Sequence, residues 1–448
     1  MVTVAGGRFA PGHLGELTRI VPFEMVDAVL AETGSVQRRV RALPSRVVVY
    51  LLLAAGLFAE LGYGQVWRRL AAGLEGLAVA SPTGAALAQA RRRIGAAPLR
   101  ALFELLAGPA ACTATRGVYW RGLLVCAIDG TTMACPDTPA NLAVLRKGGG
   151  HHGGTGYPLV RLLVLVGCGT RTLIDAVFGP TSSGETTYAT GLLRSLRAGM
   201  IVLADRNFAS QKLINAIAGT GADVLVRVKN GRKLPVCARY GDGSYLSRLG
   251  ELKVRVVACE ITIATSAGSR TGVYRLVTTL TDPACPASQI IKLYHDRWEI
   301  ETAYLEIKST ILGGRVLRAR TPAGLDQEIY ALLVTYQALR IAITDATIAQ
   351  PGIDPDRGSF TIALAAARDQ LILAAGVIAD TVIADTVIDL VGTIGRHVLA
   401  DLLPDRRLRT NPRVVKRAIS KFVAKGDRIR GPSYKATIGI HICPPADP

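Results

Sequence analysis

Three acids stand out by what surrounds them. Asp129 closes the apolar run LLVCAID and is followed by Gly130 and Thr131, and Asp205 closes a second run in MIVLADRNF. A carboxylate at a strand end points off the sheet edge, where neighbouring strands of an α/β sheet can aim several at one point. Each alone reads more often as a turn former or helix cap than as a catalytic acid, because an aspartate bonds nearby backbone N–H groups. The third acid has a different setting. Tyr294, Arg297, Glu301 and Lys308 follow at spacings of three, four and seven residues, which predicts one stripe along a single helix. An acid between basic and phenolic groups suits a phosphate backbone lying across the helix, with the acid on a metal ion and the cations on phosphate oxygens. The other reading is an exposed face with an ordinary Arg297 to Glu301 ion pair.

Three carboxylates are what phosphodiester cleavage by two cations requires. The ions sit roughly 3.5 to 4 Å apart, one activating a water or a 3′-hydroxyl and the other stabilising the leaving oxygen. Oxygen-only donors select Mg²⁺ or Mn²⁺ over zinc. No cysteine or histidine need take part.

The elements around these residues follow a recognisable order. From about Leu17 to Leu106, apolar positions recur at helical spacing in PFEMVDAVLAE, SRVVVYLLLAAGLFAELG, GAALAQARRRIG and PLRALFELLAG. From Tyr119, short Val-, Leu- and Ile-rich runs bounded by Gly, Pro and Thr read as strands: LLVCAIDG, YPLVRLLVLVG and TLIDAVFG. A helix (ETTYATGLLRSLR), the strand MIVLADRNF, a helix (SQKLINAIAG) and the strand ADVLVRVKNG follow. Three strands and then alternating helices and strands is the order of an RNase H-like α/β core. LKVRVVACEITIAT and GVYRLVTTL break the alternation and read as an all-β insertion. The chain then returns to helices, first PASQIIKLYHDRWEIETAYLEIKSTIL and later LDQEIYALLVTYQALRIAITDATIAQ and FTIALAAARDQLILAAG. The expected class is α/β, an RNase H-like catalytic core with an all-β insertion and helical N- and C-terminal flanks.

YHDRWEIETAYLEIK carries the pattern Tyr-x₂-Arg-x₃-Glu-x₆-Lys and resembles the corresponding helix of the insertion-sequence-4 family of bacterial DDE transposases. LADRNF resembles that family's second-aspartate motif, AIDGTTM its first, and NPRVVKR near Asn411 its C-terminal basic motif. The resemblance implies a helical N-terminal domain over 1–115 that binds DNA ends and a DDE catalytic domain over 116–318 with the insertion at about 231–283. A helical region over 319–400 and a basic tail over 401–448 complete the expected division. It implies that Asp129, Asp205 and Glu301 bind two catalytic Mg²⁺ (or Mn²⁺) ions, while Tyr294, Arg297 and Lys308 grip DNA near the scissile phosphate. It further implies DNA partners, namely terminal inverted repeats and target DNA, a homodimeric synaptic complex, and hydrolysis followed by 3′-hydroxyl attack. Two other readings fit the residues: a catalytically silent inverted-repeat-binding protein, and an RNase H-like nuclease without strand transfer. Relatives place a tryptophan in the insertion to support a flipped base, whereas the tryptophans here are Trp67, Trp120 and Trp298. Tyr240, Tyr245 and Tyr274 are the aromatic faces available there for stacking.

Composition agrees with a polyanionic partner. Lys and Arg number 53 against 34 acids among 448 residues, a formal charge of +19, whose field attracts nucleic acid. Mean hydropathy is +0.30, which raises a membrane as a rival. Val47 to Ala59 is closed by Arg46 and Glu60, and Leu371 to Ile394 is interrupted by Asp380, Asp385 and Asp389, so neither run has the roughly twenty uncharged residues a span needs. No signal peptide is expected, and a cytoplasmic, nucleoid-associated location follows. The eight cysteines lack any Cys-x-x-Cys pair and read as reduced, packed thiols. Arg91, Arg92 and Arg93, with Arg38, Arg39 and Arg41, read equally as a DNA-contacting or a solvated face. KGGGHHGGTGYP, with His151 and His152, lacks a Gly-Lys-Ser/Thr ending and reads as a loop. Asp137 and Asp175 read as turn or surface acids, and Glu185 as a helix-opening acid favoured by the dipole. ADTVI occurs twice in tandem from Ala379 to Ile388, a local duplication.

Overall fold

The computed structural model describes residues 2–4, 7–112, 115, 117–147, 156–266, 268–350, 352–374, 391–404 and 436–444. A hairpin of β1 (Val2–Val4) and β2 (Arg8–Ala10) precedes five helices: α1 (Phe23–Glu32), α2 (Ser45–Leu57), α3 (Tyr63–Ala72), α4 (Gly84–Ile94) and α5 (Ala97–Leu106). Apart from its first turn, where Arg46 stays partly exposed, α2 is buried all round, as a helix enclosed by other helices is. The short α3, not singled out by periodicity, is pinned by Trp67, whose indole N–H donates to the Ala80 carbonyl at 2.9 Å.

The centre is one mixed sheet. β3 (Tyr119–Trp120) and β4 (Leu123–Ala134) lead through the short α6 (Pro139–Leu142) to β5 (Leu159–Gly167) and β6 (Leu173–Pro180). α7 (Glu185–Ala189) tightens into a 3₁₀ segment, Thr190–Ser195, where one helix was expected. β7 (Met200–Ala204), α8 (Gln211–Gly219) and β8 (Asp223–Arg227) follow. The strand order is β6-β5-β4-β7-β8, with β4, β5 and β6 antiparallel and β7 and β8 parallel to β4. This is the RNase H-like arrangement that the alternation predicted.

The expected insertion does not stand apart from this sheet. It supplies β9 (Ala238–Arg239), β10 (Tyr245–Leu249), β11 (Leu252–Thr265) and β12 (Gly268–Thr278), and β12 pairs antiparallel with β8, so the sheet continues through it. The helical segment after it also differs from the expected single helix. α9 (Ala287–His295) ends at a turn, α10 (Trp298–Leu305) starts anew, and Glu306–Ile311 is π-helical. At the joint, the N–H of Arg297 bonds to the Tyr294 carbonyl and that of Glu299 to Asp296, three-residue steps that tighten the turn and break the regular ladder. α11 (Pro322–Ile348), α12 (Phe360–Ile372) and α13 (Gly392–Ala400) follow. β13 (Ala436–Ile442), from the end of the expected tail, pairs antiparallel with β11. The stretch from Asp405 to Lys435, NPRVVKR within it, and the ADTVI repeat lie outside the described residues, as do His151 and His152.

Alternation along β4 assigns its two faces. Leu124, Cys126 and Ile128 pack with α8 on one side, while Val125, Ala127 and Met133 belong to the core that holds α10, α11 and the N-terminal helices. Asp129 and Thr131 continue the second set by period two, so both face the Glu301 helix. Among the described residues, no helix is long and apolar enough to cross a membrane. None of the eight cysteines is in a disulfide; five are buried, Cys112 and Cys237 are exposed, and Cys443 is half-buried.

Candidate active site

The strand register brings the two aspartates together. In the parallel β4–β7 pair, Ile128 lies opposite Ala204, the last residue of β7, so Asp129 and Asp205 come next, side by side. Asp205 follows its strand as expected, whereas Asp129 does not end one, because β4 runs on to Ala134 through its pairing with β5. In the β7–β8 pair Ala204 lies opposite Val226, which puts Arg227 next in the row. Each aspartate also does the local work that a turn-forming acid does. Asp129 Oδ1 accepts the Gly130 N–H at 2.8 Å, and Asp205 Oδ1 accepts the Asn207 N–H at 2.8 Å, capping the 3₁₀ turn Arg206–Phe208.

Glu301 joins them from α10. A single cavity of about 760 Å³ is lined by Asp129, Asp205 and Glu301 together with Tyr294, Arg297 and Arg227. Burial pushes the Asp129 carboxyl up to about 7; Asp205 and Glu301 add to the rise, while the Gly130 N–H and Arg297 oppose it. A divalent cation bound here would favour the charged form of this carboxyl. Among the described residues no three acid, histidine or cysteine side chains already converge closely enough to hold an ion. Glu301 Oε1 instead receives Arg297 Nη2 at 3.1 Å, within a largely buried pair.

Of the expected DNA-contacting residues, Tyr294 and Arg297 line the cavity and Lys308 does not. The Arg297 guanidinium lies near two aromatic rings, 5.1 Å from the Trp298 ring centroid and 5.9 Å from that of Tyr294. Burial pushes the Tyr294 hydroxyl up to about 12, so it is a donor at neutral pH. Lys308 sits in the π-helical segment, whose wider turn moves it off the stripe, and its Nζ donates to Thr131 Oγ1 at 2.9 Å.

Several residues outside the motifs complete the site. Tyr304, buried on α10, donates its hydroxyl to the Asp129 carbonyl at 2.6 Å and so ties the helix to the middle of β4. Glu185 lines the same cavity, a place that its reading as a helix-opening acid did not anticipate. Of the three insertion tyrosines, Tyr274 alone lines the cavity, with the Arg227 guanidinium 4.1 Å from its ring centroid. Tyr245 is buried in the sheet, and Tyr240 donates to the Thr281 carbonyl at 2.7 Å. β13 adds Ile438 and Ile440 to the wall formed by Ile261 and Ile263.

Elsewhere, two residues of the Arg91–Arg93 run serve packing. The Arg91 guanidinium stacks 3.6 Å from the Tyr63 ring centroid, and Arg93 Nη2 donates to the Leu43 carbonyl at 2.6 Å. Arg38, Arg39 and Arg41 are exposed. Asp175 is not a surface acid: it is buried on β6 and held by Arg194 at 2.7 Å and Ser195 at 2.6 Å. Asp137 pairs with Lys147 at the surface.

Comparison with known proteins adds independent findings. Residues 11–104 match the family model described as insertion element 4 transposase N-terminal, and residues 120–337 match the transposase DDE domain. The chain is 29% identical over 411 residues to the transposase InsG for insertion sequence element IS4 of Escherichia coli (strain K12), covering 89% of this chain and 91% of that protein. It is 28% identical over 212 residues to the putative transposase InsZ of the same organism, covering 45% of this chain and 67% of the relative. A solved structure, the piggyBac transposase synaptic complex with hairpin DNA, aligns with a TM-score of 0.42 and 10% identity over 88% of this chain and 86% of that one.

Proposed function

Because the chain belongs to the insertion-sequence-4 family of DDE transposases, we propose that Asp129, Asp205 and Glu301 are its catalytic carboxylates and hold the divalent metal that this family uses. The observation that carries the assignment is the β4–β7 register, with Asp129 and Asp205 side by side and Glu301 on the wall of the same cavity. The donor set fits Mg²⁺ or Mn²⁺, since it is all oxygen and carries three carboxylates on one cavity wall. When bound, two such ions supply Lewis acidity at the attacking and leaving oxygens of an in-line displacement.

The substrates of this reading are the terminal inverted repeats of an insertion sequence and a target DNA. Water cleaves the phosphodiester at the element's end and leaves a 3′-hydroxyl, which then attacks a target phosphodiester. The chain's own cations act on the phosphate. Arg297, close to the Trp298 and Tyr294 rings, presents its guanidinium beside Glu301, and Tyr294 offers a neutral hydroxyl donor. Lys308, on Thr131, carries positive charge to β4 two residues beyond Asp129. Tyr304 fixes the Asp129 backbone so that its carboxylate keeps its aim. We assign end recognition to the helical region 1–115, with Arg38, Arg39 and Arg41 as its exposed cations, and catalysis to 116–318 including the sheet insertion at about 231–283. The helical region 319–400 braces the catalytic helix, and 401–448 is basic apart from its final strand. A homodimer holding two ends together belongs to the same proposal.

The test is cleavage and strand transfer by purified protein with Mg²⁺ on DNA carrying the element's ends. Asp129→Ala, Asp205→Ala and Glu301→Ala should each abolish both reactions while far-UV circular dichroism and melting show an intact fold. Cleavage persisting in any of the three refutes its assignment. Cleavage without transfer in the wild type identifies a nuclease instead.

A further inference from the structure

Glu185 is a fourth carboxylate in the cavity. It opens α7, whose five residues make too short a helix for an end charge to matter much. Its side chain lies flat against β4 immediately beyond Asp129. A Cβ on residue 130 would stand 2.7 Å from Glu185 Oε1, 2.9 Å from Cδ and 3.0 Å from Cγ. Gly130 has no positive φ, so its backbone conformation does not demand glycine; the space taken by the Glu185 side chain does. α7 packs against both β4 and the turn that carries Asp205. No hydrogen bond or ion pair from another described residue engages the Glu185 carboxylate. A carboxylate that lines the same cavity as Asp129 and Asp205 is placed to join a cation held there.

We infer that Glu185 is a further ligand of the divalent cation at this site, sharing it with Asp129 in the space that Gly130 leaves open. The inference rests on the metal-dependent reading above. It makes Gly130 a residue selected for room, so that an alanine there acts by pushing the flexible Glu185 carboxylate aside.

The test is Mn²⁺ binding to the full chain without DNA, followed by loss of the free-ion electron paramagnetic resonance signal, alongside melting in metal-free buffer. Glu185→Gln should weaken Mn²⁺ binding by about tenfold or more, as removal of a charged oxygen ligand does, with little change in melting. Gly130→Ala should reproduce that loss, and the double variant should add nothing to either single one. If Glu185→Gln binds Mn²⁺ normally while Asp129→Asn does not, the inference is overturned and the catalytic reading stands. It is overturned in the same way if Glu185→Gln only lowers the melting temperature, since the acid then merely serves the start of α7. If neither variant alters Mn²⁺ binding, both the inference and the metal site it rests on are overturned.

Discussion

Arg171 Nε donates to Glu299 Oε2 at 2.6 Å, two residues before Glu301 and wholly inside the protein. The same guanidinium reaches Glu306 Oε1 at 3.3 Å and pairs with Asp356, while Arg340 Nε donates to Glu306 Oε2 at 3.0 Å. Glu306 begins the π-helical segment, so its wide turn coincides with a carboxylate drawn to two buried arginines. This cluster sets the rotation of α10 from behind, while Glu301 faces the cavity. Removing one partner of a buried ion pair leaves the other uncompensated, at a cost of about 3 to 5 kcal/mol. Arg171→Met should therefore destabilise the fold by about that much and depress cleavage, as read by urea denaturation and activity. A stability change below about 1 kcal/mol would show that the cluster is not what orients α10.

The Arg297 to Glu301 pair predicts opposite effects on two ligands. Arg297 contacts phosphate in the proposed reading, yet it also competes with a cation for Glu301 Oε1. Arg297→Ala should weaken DNA binding and flatten its dependence on log salt by about 0.9 per lost contact, while Mn²⁺ affinity stays level or rises. Salt titrations of DNA binding and metal titrations of the same preparation separate the two. A slope unchanged from wild type means that the guanidinium does not reach phosphate.

Lys308 calls for a finer distinction, because its Nζ already has Thr131 Oγ1 as a partner. Thr131→Val should leave DNA affinity nearly unaltered if Lys308 simply swings to phosphate, and Lys308→Ala should lower both affinity and salt slope. Equal losses in the two variants, with an unaltered slope, would show that the lysine only braces β4.

How far this arrangement was legible in the sequence varies by residue. Asp129 and Asp205 were readable because each closes an apolar run. For Asp205 that run is the whole strand, whereas β4 continues past Asp129 to Ala134 because β5 pairs with it there, which the loss of apolar residues concealed. The core's strand order followed from the change of period along the chain. Glu185 was not readable, since its place beside Gly130 comes from tertiary packing of α7 on β4, and locally it looks like any acid opening a helix. The breaks in the Tyr294 to Lys308 helix were hidden for a similar reason. Arg171, Glu299 and Glu306 become partners only through the fold, and their demand overrides regular spacing. The return of β13 to β11 joins residues from distant parts of the chain, a pairing to which local propensity is blind.

That strand gives a further prediction. Along one edge β11 is covered by β10 as far as Val256 and by β13 from Cys259 onward. Ending the chain at residue 435 should bare the Cys259–Thr265 edge, whose Ile261 and Ile263 face the cavity. An open apolar edge invites pairing with another chain. Light scattering should then show concentration-dependent self-association that the full chain lacks; an equal mass at all concentrations would mean that the edge is protected without β13.

His13 predicts how the fold responds to acid. Its imidazole is fully buried, with Nδ1 accepting the Gly15 N–H at 3.1 Å and Nε2 facing the Leu70 carbonyl at 3.2 Å. The first contact requires a bare Nδ1, so the proton sits on Nε2 and donates to Leu70. Burial lowers the ring's pKa from 6.5 to about 4, against the smaller raising effect of the Leu70 bond. The unfolded chain therefore binds the extra proton first as pH falls. The stabilisation is complete above about 6.5 and lost progressively down to about 4, amounting to about 3 kcal/mol. His13→Asn keeps an acceptor near Gly15 but cannot titrate. Its stability, measured by denaturant melts between these pH values, should fall less steeply than that of the wild type. Parallel curves would show that the unfolded chain gains no extra proton at this position.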